Sequence, residues 1–276
     1  MNRELGDDTE VAARIRLAEQ LLATAAERIA DAFHTRLQTT QKSPNDYVSE
    51  LDTSIEQYVQ NELKQAFPED NFYGEESGAS GGTNQYLWVY DPLDGTNNFL
   101  RGLPFAGTQI ALLKDDVIVY SLIHRPFTSE KYYAQKGQGA FYENFRTNEQ
   151  RQLQVSERSL SEAMAIFDSK VGKTDNASTP LFNSLIDKIA SVRVLGVAVY
   201  DLPAVAEGAV EFLISGIAKK YDVAPGWLLI EEAGGTVYSL HGEPTIDNEL
   251  LILSNQAVTQ ELLQSIQSRS EHEYQQ

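Results

Sequence analysis

The first third of the chain shows two stretches in which apolar residues recur with helical periodicity. Apolar positions three and four residues apart run from residue 8 to about residue 37, which predicts an amphipathic helix. This stripe consists of Val11, Ile15, Ala18, Leu22, Ala25, Ile29 and Phe33. A polar loop is expected over residues 38 to 45. A second helix is predicted to begin near Asp52 and to end at Pro68-Glu69-Asp70.

Short β-strands separated by turns are predicted in the middle of the chain. The apolar residues 87 to 90 indicate a buried strand that runs directly into Asp91. Segments 105–113 and 117–124 are two further strands, joined by a turn at Lys114-Asp115-Asp116. Segments 131–134 and 139–142 are typical of another pair, and the polar residues 143–160 are expected to cross the surface.

The second half of the chain alternates between predicted strands and helices, which is typical of an α/β layer. The strands are expected over 163–168, 191–195, 209–214, 236–239 and 250–254, and the helices over 181–190, 201–207 and 223–233. No long flexible linker is visible. We therefore expect an N-terminal α+β subdomain over residues 1–150 and a C-terminal α/β subdomain over residues 151–276, which share one interface. Polar residues 271–276 predict a frayed terminus.

Composition narrows the class of protein. The 276 residues are 42% hydrophobic, which is ample for a large buried core. A net charge of −18 disfavours binding to a nucleic acid backbone. The absence of cysteine excludes disulfides, thiolate metal sites and a cysteine nucleophile. No apolar run approaches the ~18 residues of a membrane span, and no basic-then-apolar leader begins the chain. We expect a cytoplasmic protein with no membrane partner.

The segment from Trp88 to Phe99 carries the clearest chemical signal. An apolar strand ends in Asp91, and Asp94 follows three residues later, after a turn stiffened by Pro92. Gly95 lets the backbone approach a ligand closely, and a short helix is expected to open at Thr96. Free amides at a helix start bind phosphate, and paired carboxylates are ligands that Mg²⁺ prefers. The alternative is an Asx turn in which Asp94 only caps a helix. The whole run is more specific than either of its Asp-Pro and Asp-Gly dipeptides.

Four motifs in the same order resemble those of the inositol monophosphatase family. They are Gly74-Glu75-Glu76-Ser77, the run Asp91-Pro92-Leu93-Asp94-Gly95-Thr96-Asn97-Asn98-Phe99, Lys136-Gly137-Gln138-Gly139-Ala140-Phe141, and Tyr221-Asp222-Val223-Ala224-Pro225-Gly226 with its following Glu232-Ala233-Gly234-Gly235. The resemblance covers roughly residues 10 to 265. It implies a fold of α+β or α/β class, a layered αβαβα sandwich shared by inositol monophosphatases and fructose bisphosphatases.

The resemblance also implies an activity and its metals. We expect a lithium-sensitive homodimer that hydrolyses a small phosphomonoester with two or three Mg²⁺ ions, Mn²⁺ being the alternative. Metals suit this reaction because they activate water and neutralise the substrate's charge. Glu75, Asp91 and the Leu93 carbonyl are implied to hold one metal. Asp91, Asp94 and Asp222 are implied to hold a second, and Glu75 a weaker third.

The remaining roles follow from the same resemblance. Gly95 and Thr96 are implied to offer backbone N–H groups to the phosphate, and the Thr96 hydroxyl, with Asp52, to orient the attacking water. The resemblance also implies a catalytic role for Glu75, beside Asp52 and Thr96. The residues alone leave Asp52 and Asp222 open to the simpler role of helix N-caps.

Two points of this resemblance leave alternatives, namely the choice of the glutamate ligand and the role of Lys42. Glu75 and Glu76 are both candidate ligands, and the family pattern selects Glu75. Lys42 aligns with a family lysine near the metals, or is an ordinary exposed lysine.

The leaving-group end departs from the family pattern. The substrate loop reads Gly196-Val197-Ala198, where the family has a hydroxyl residue in the middle, and the family glutamate before the Trp-Asp motif has no clear equivalent. Lys219 and Lys220 lie in this stretch. They are predicted either to contact a second anionic group or to be exposed to solvent. Asn97-Asn98-Phe99 favours the inositol monophosphatase branch. Fructose bisphosphate, histidinol phosphate and adenosine bisphosphate remain alternative substrates, and a non-catalytic metal-binding regulator is the alternative from a different class.

Overall fold

The two helices predicted near the N-terminus form the outer layer of the fold. In the computed structural model, which describes residues 8–43, 46–240, 242–248 and 250–263, α1 spans Asp8–Ala32 and α2 spans Glu50–Ala66. Their apolar faces pack together on one side of a large sheet. The fully buried Leu22, Ile29 and Ile55 belong to this core, as their helical spacing predicts.

The polar segment after α1 differs from its prediction as a loop. It forms a hairpin of β1 (Thr39–Ser43) and β2 (Asp46–Ser49). Since most of β1 remains exposed on both faces, no alternation of apolar and polar residues marks it in the sequence. The first helix also ends five residues earlier than predicted, because His34 adopts a left-handed backbone with φ 65°.

The large sheet occupies the second layer. Its strands are β3 (Asn71–Gly74), β4 (Gly78–Ser80), β5 (Tyr86–Asp94), β6 (Gly107–Lys114), β7 (Val117–Arg125), β8 (Glu130–Gln135), β9 (Gly139–Asn144) and β10 (Glu149–Gln152). Among the described residues, they lie in the order β10-β9-β8-β7-β6-β5-β3-β4. Only the β3–β5 pair in this order is parallel. The edge strand β10 corrects the prediction that residues 143–160 simply cross the surface.

Helices α3 (Thr96–Leu100), α4 (Thr179–Leu185), α5 (Ala198–Ala206) and α6 (Lys220–Glu232) follow. Of these, α5 and α6 form the central layer, and α6 contacts both sheets. Residues Val223 to Ile230 of α6 are buried without interruption. A helix that is apolar all round suits a position between two sheets.

The smaller sheet and its outer helices complete the fold. Strands β11 (Met164–Phe167), β12 (Ser191–Arg193), β13 (Phe212–Ser215), β14 (Thr236–Tyr238) and β15 (Leu251–Ser254) lie in the order β12-β11-β13-β15-β14. Helix α4 and the helical residues 256–263 share an apolar core with the outer face of this sheet. Helix, sheet, helix, sheet and helix therefore stack in the predicted αβαβα order. Helix α4 is shorter than predicted.

None of the helices among the described residues is long and apolar enough to cross a bilayer. Residues 271–276, for which the sequence predicts fraying, lie outside the described residues.

Candidate active site

A β-bulge at the end of β5 brings two carboxylates to the same place. Asp91 is paired with Gln109 of β6, whereas Asp94 is paired with Gly107, so three steps along β5 match two along β6. Side chains three residues apart on a regular strand point to opposite faces of the sheet. The extra residue re-aims the chain, as bulges do beside many active sites. The hydrogen bond from Leu93 N to Asp91 Oδ1, 3.0 Å long, holds the turn inside the bulge.

The turn from this strand into α3 requires a glycine. Gly95 is the N-cap of α3 and has a left-handed φ of 83°. A Cβ atom there would lie 2.6 Å from the Phe105 carbonyl oxygen. The short helix that was predicted to open at Thr96 is confirmed, and its first N–H groups have no partner within the helix.

The third carboxylate comes from the central layer. Asp222 lies in the first turn of α6, two residues after its first residue, Lys220, and not in front of the helix as predicted. Pro225 is then inside α6, where it leaves the Tyr221 carbonyl without its usual helical partner. Ligand atoms of Asp91, Asp94 and Asp222 all lie within 4.8 Å of one another.

This cluster is electrostatically unfavourable without a cation. Burial, together with the charges of Glu75, Asp94 and Asp222, raises the pKa of Asp91 well above its usual value. Burial and the charges of Asp94 and Glu75 likewise raise the pKa of Asp222, against the charge of the nearby Lys219. Burial raises the pKa of Asp94 to about 7, although the Val199 N–H donates to its Oδ2 at 2.6 Å.

The Thr96 hydroxyl lies between two acceptors. Its Oγ1 is 2.8 Å from Asp52 Oδ1 and 2.8 Å from the Leu93 carbonyl oxygen, and its single hydrogen serves one of them at a time. Asp52 is the third residue of α2, and its other oxygen, Oδ2, accepts hydrogen bonds from the backbone N–H and hydroxyl of Ser49. Asp52 therefore caps α2 and reaches Thr96 at once, and burial raises its pKa.

The segment that carries Glu75 is held by a carboxylate that the sequence did not single out. Glu56 lies on the buried face of α2 and accepts hydrogen bonds from the backbone N–H groups of Glu76 and Ser77, at 2.9 and 2.7 Å. A Cβ at Gly74 would lie 2.4 Å from this carboxylate, so a larger residue there would displace the Glu56 side chain. A glutamate in the apolar stripe of an amphipathic helix is the signal that could have found Glu56.

Lys42 connects the hairpin to both candidate glutamates. Its Nζ lies 3.2 Å from Glu75 Oε1 and 2.6 Å from Glu76 Oε1. Burial alone would lower the pKa of Lys42, but the hydrogen bonds and charges of the two glutamates raise it. Of the two, Glu75 lines the cavity that contains Asp91 and Asp94, whereas Glu76 does not line it.

This cavity has a volume of about 470 Å³ and extends from the carboxylates toward the smaller sheet. Its lining contains all five predicted metal ligands and both predicted phosphate-binding residues. Residues that the sequence reasoning missed also line it, namely Tyr47, Lys170, Asp175 and Asn176. Tyr47 belongs to β2, and the other three lie on the connection after β11. None of these positions has a periodic signal in the sequence, so only the folded chain brings them here.

The predicted leaving-group loop is divided by the fold. Gly196 lines the cavity, but the side chain of Val197 is buried in the core, against Gly95. Val197 is the N-cap of α5, and it lines, with Ala198, a small cavity of about 110 Å³ behind Asp94. Of the two lysines left open by the sequence, Lys219 lines the main cavity and Lys220 does not.

Comparisons with known proteins identify related chains. The family model described as inositol monophosphatase family matches residues 10–272. An inositol-1-monophosphatase of Mesorhizobium japonicum is 35% identical over 233 residues, which are 83% of this chain and 86% of that relative. A protein of Aquifex aeolicus described as fructose-1,6-bisphosphatase/inositol-1-monophosphatase is 30% identical over 81% of this chain and 83% of its own length.

Similarity extends to solved structures. The crystal structure of the extragenic suppressor protein suhB from Bartonella henselae superposes with a TM-score of 0.82 at 29% identity, covering 92% of this chain and 98% of that one. The family model and the superposed fold thus both cover more than nine tenths of the chain. The chain belongs to the inositol monophosphatase family.

Proposed function

We propose that this protein is a Mg²⁺-dependent phosphatase that hydrolyses a small phosphomonoester, an inositol monophosphate or a related sugar phosphate. The observation that carries the proposal is the convergence of Asp91, Asp94 and Asp222 beside the start of α3, at Gly95 and Thr96. One end of the cavity can therefore hold cations, and the adjacent backbone can hold a phosphate.

The donor set fits a hard divalent cation. Asp91, Asp94 and Asp222 would hold one ion, and Asp91, Glu75 and the Leu93 carbonyl a second, with Glu75 available to a third. All these donors are oxygen atoms, which suits Mg²⁺ or Mn²⁺. The raised pKa values of the buried carboxylates also favour a cation site, because a bound cation would offset the repulsion between their charges. When bound, the metals supply activation of water and neutralisation of phosphate charge.

Residues of the chain then position the reactants. The N–H groups of Gly95 and Thr96 bind phosphate oxygens, because helix-start amides have no partner within the helix. The Thr96 hydroxyl orients the attacking water, and its hydrogen bond with Asp52 fixes its direction. Asp52 is rigid because the capping interaction with Ser49 holds its second oxygen.

The substrate class is supported by relatives and by the size of the cavity. A cavity of about 470 Å³ accommodates a sugar-sized leaving group beside the phosphate. The Mesorhizobium relative is described as acting on inositol 1-phosphate, and the Aquifex relative on fructose 1,6-bisphosphate as well.

Release of inorganic phosphate from inositol 1-phosphate, measured with and without Mg²⁺, tests the proposal. We expect turnover with Mg²⁺ and none in excess EDTA, with activity restored by added Mg²⁺. Full turnover in EDTA would refute the metal mechanism. No hydrolysis of any small phosphomonoester, despite measurable Mg²⁺ binding, would instead favour the non-catalytic regulator.

A further inference from the structure

Helix α5 contains a proline that leaves one of its buried carbonyl groups without a helical partner. Pro203 lies inside α5, four residues after Val199. In a regular helix the Val199 carbonyl would accept a hydrogen bond from the N–H of residue 203, but proline has no N–H. Val199 is fully buried, and a buried carbonyl without a partner is unfavourable. This carbonyl therefore needs a donor from another part of the fold.

Arg125, the last residue of β7, is that donor. Its Nε donates a hydrogen bond to the Val199 carbonyl oxygen at 2.7 Å, and its Nη2 donates one to the Tyr200 carbonyl oxygen at 3.2 Å. A planar guanidinium can make both contacts at once, because its N–H groups form a rigid fork. Arg125 therefore binds two consecutive carbonyls in the first turn of α5.

The guanidinium of Arg125 is itself held by other neighbours. Its Nη1 donates to the Tyr132 hydroxyl at 2.8 Å and to Glu130 Oε2 at 3.2 Å. It also lies over the rings of Tyr132 and Tyr200, 4.4 and 4.3 Å from their centroids. Since the residue is only 6% exposed and all its contacts are specific, Arg125 fixes the start of α5 relative to β7.

Val199 connects Arg125 to the carboxylate end of the cavity. Its N–H donates to Asp94 Oδ2 at 2.6 Å, while its carbonyl accepts from Arg125. The packing around this connection is close. A Cβ at Gly107, which is paired with Asp94 in the sheet, would lie 2.4 Å from the His124 carbonyl oxygen and 3.0 Å from Val199 Cγ2. A displacement of α5 would therefore be transmitted to Asp94.

We infer that Arg125 is a positioning residue for the metal ligand Asp94, acting through Val199. The inference rests on the proposed function, because it concerns the affinity of that site for Mg²⁺. The Val199 N–H holds one oxygen of Asp94 and so fixes the orientation of the carboxylate. Hydrogen-bond partners of metal ligands typically contribute about 10–100-fold to metal affinity.

The direction of the effect separates positioning from simple electrostatics. Arg125 carries a positive charge, so its removal would by itself leave Mg²⁺ binding unchanged or make it tighter. Loss of positioning makes Mg²⁺ binding weaker. Weaker binding in a variant without the charge therefore has positioning as its cause.

Calorimetric titration with Mg²⁺, in the absence of substrate, tests the inference independently of turnover. We expect Arg125→Met to weaken Mg²⁺ binding about tenfold. Arg125→Lys keeps the charge but lacks the fork that binds both carbonyls, so its affinity should lie between those of Arg125→Met and the wild type.

The matched control is Arg14→Met. Arg14 is also 6% exposed and also lies over two aromatic rings, but it pairs with Asp70, and neither residue lines the cavity. This variant should lose stability and keep the wild-type affinity for Mg²⁺. If either Met variant does not fold, as judged by circular dichroism, the pair Arg125→Lys and Arg14→Lys decides by the same criterion.

A double-mutant cycle tests the route through Val199. Pro203→Ala returns an N–H to residue 203 and so offers the Val199 carbonyl a donor within the helix. In this background, Arg125→Met should weaken Mg²⁺ binding less than it does in the wild type, a non-additive result. Equal weakening in both backgrounds would show that Arg125 does not act through Val199, and would overturn the inference.

The remaining outcomes are equally decisive. Unchanged or tighter Mg²⁺ binding in a folded Arg125→Met protein overturns the inference and leaves the proposed function intact. Equal weakening in Arg14→Met assigns the effect to lost stability and also overturns it. A wild-type protein that binds no Mg²⁺ refutes the metal site, and with it both the proposed function and the inference.

Discussion

The two ends of the active-site cavity are built in opposite ways. At the carboxylate end, Asp91 and Asp94 are 1% and 8% exposed and belong to a strand bulge inside the large sheet. At the open end, Lys170 and Asp175 are exposed and lie on the connection between β11 and α4. The first end has little freedom to change, because its carboxylates are buried among closely packed residues.

The difference separates chemistry from selectivity. Buried donors fixed by the sheet suit metal and phosphate binding, which is the same for every phosphomonoester. Exposed loop residues on a rigid support suit recognition of the leaving group, and they change more easily between relatives. Experiments at either end of the cavity can test this division between chemistry and selectivity.

Removing one charge at the buried end should have the largest effect. We expect Asp94→Asn to lower kcat, with a loss of at least ~3 kcal/mol in transition-state stabilisation. The variant keeps the shape of the side chain but loses a charge that would balance a buried cation. Steady-state kinetics and circular dichroism measure the loss and the fold. The matched control Asp116→Asn, at an exposed turn of the same sheet, should leave kcat unchanged. A folded Asp94→Asn protein with normal kcat would reduce Asp94 to a turn residue.

At the open end, discrimination among uncharged leaving groups should be weak. Val197 stands where the family has a hydroxyl residue, and its side chain is buried away from the cavity. With few polar contacts there, kcat/KM for inositol 1-phosphate and glycerol 2-phosphate should agree within roughly a hundredfold, about 2.7 kcal/mol. Kinetics on both substrates checks this. A preference for inositol phosphate above about a thousandfold would show that other residues rebuild the sugar site.

The metal-free protein should lose stability as pH rises. The pKa of Asp94 is raised from 3.8 to about 7 in the folded state, so the folded protein binds more protons than the unfolded chain between these values. Its contribution to stability is complete below about pH 4 and is lost as pH rises through 7. In EDTA, thermal unfolding should therefore show a falling Tm from pH 5 to pH 8. Each kcal/mol lost corresponds to about 2–4 °C in a chain of this size.

Two comparisons sharpen this test. Added Mg²⁺ should raise Tm more at pH 8 than at pH 5, because cation and proton compete for the same oxygens. Asp94→Asn in EDTA should have a shallower dependence of Tm on pH than the wild type, since one titrating group is gone. A wild-type Tm that rises steadily over this range would contradict the raised pKa values.

Lithium should produce the smallest of these effects, a partial inhibition confined to the carboxylate end. Li⁺ can occupy a Mg²⁺ position without matching its charge, so we expect lower kcat at tens-of-millimolar Li⁺ and low Mg²⁺, as the family resemblance implies. Phosphate-release assays with Na⁺ as the control cation measure it. Rates unchanged by Li⁺ would indicate that the second metal position differs from that of the family.

Features that depend on neighbours along the chain could be predicted from the residues alone. Helical periodicity located α1 and α2, the apolar runs located the central strands, and the αβαβα order followed from the family motifs. The run from Asp91 to Phe99 predicted a strand, a turn and a helix start, and these are present. Apart from the layer order, these signals are local, and backbone geometry and side-chain spacing set the structure there.

Tertiary structure decided which distant residues meet. No pattern in the chain shows that Glu56 holds the turn beside Glu75, because their contact joins α2 to the end of β3. The hairpin β1–β2 escaped prediction because its exposed faces have no apolar alternation. Lys219 and Lys220 are indistinguishable as letters, yet one faces the cavity and the other pairs with Asp247. Adjacent residues of a helix start point in different directions, and only the packing of α6 between the sheets determines which of them reaches the site.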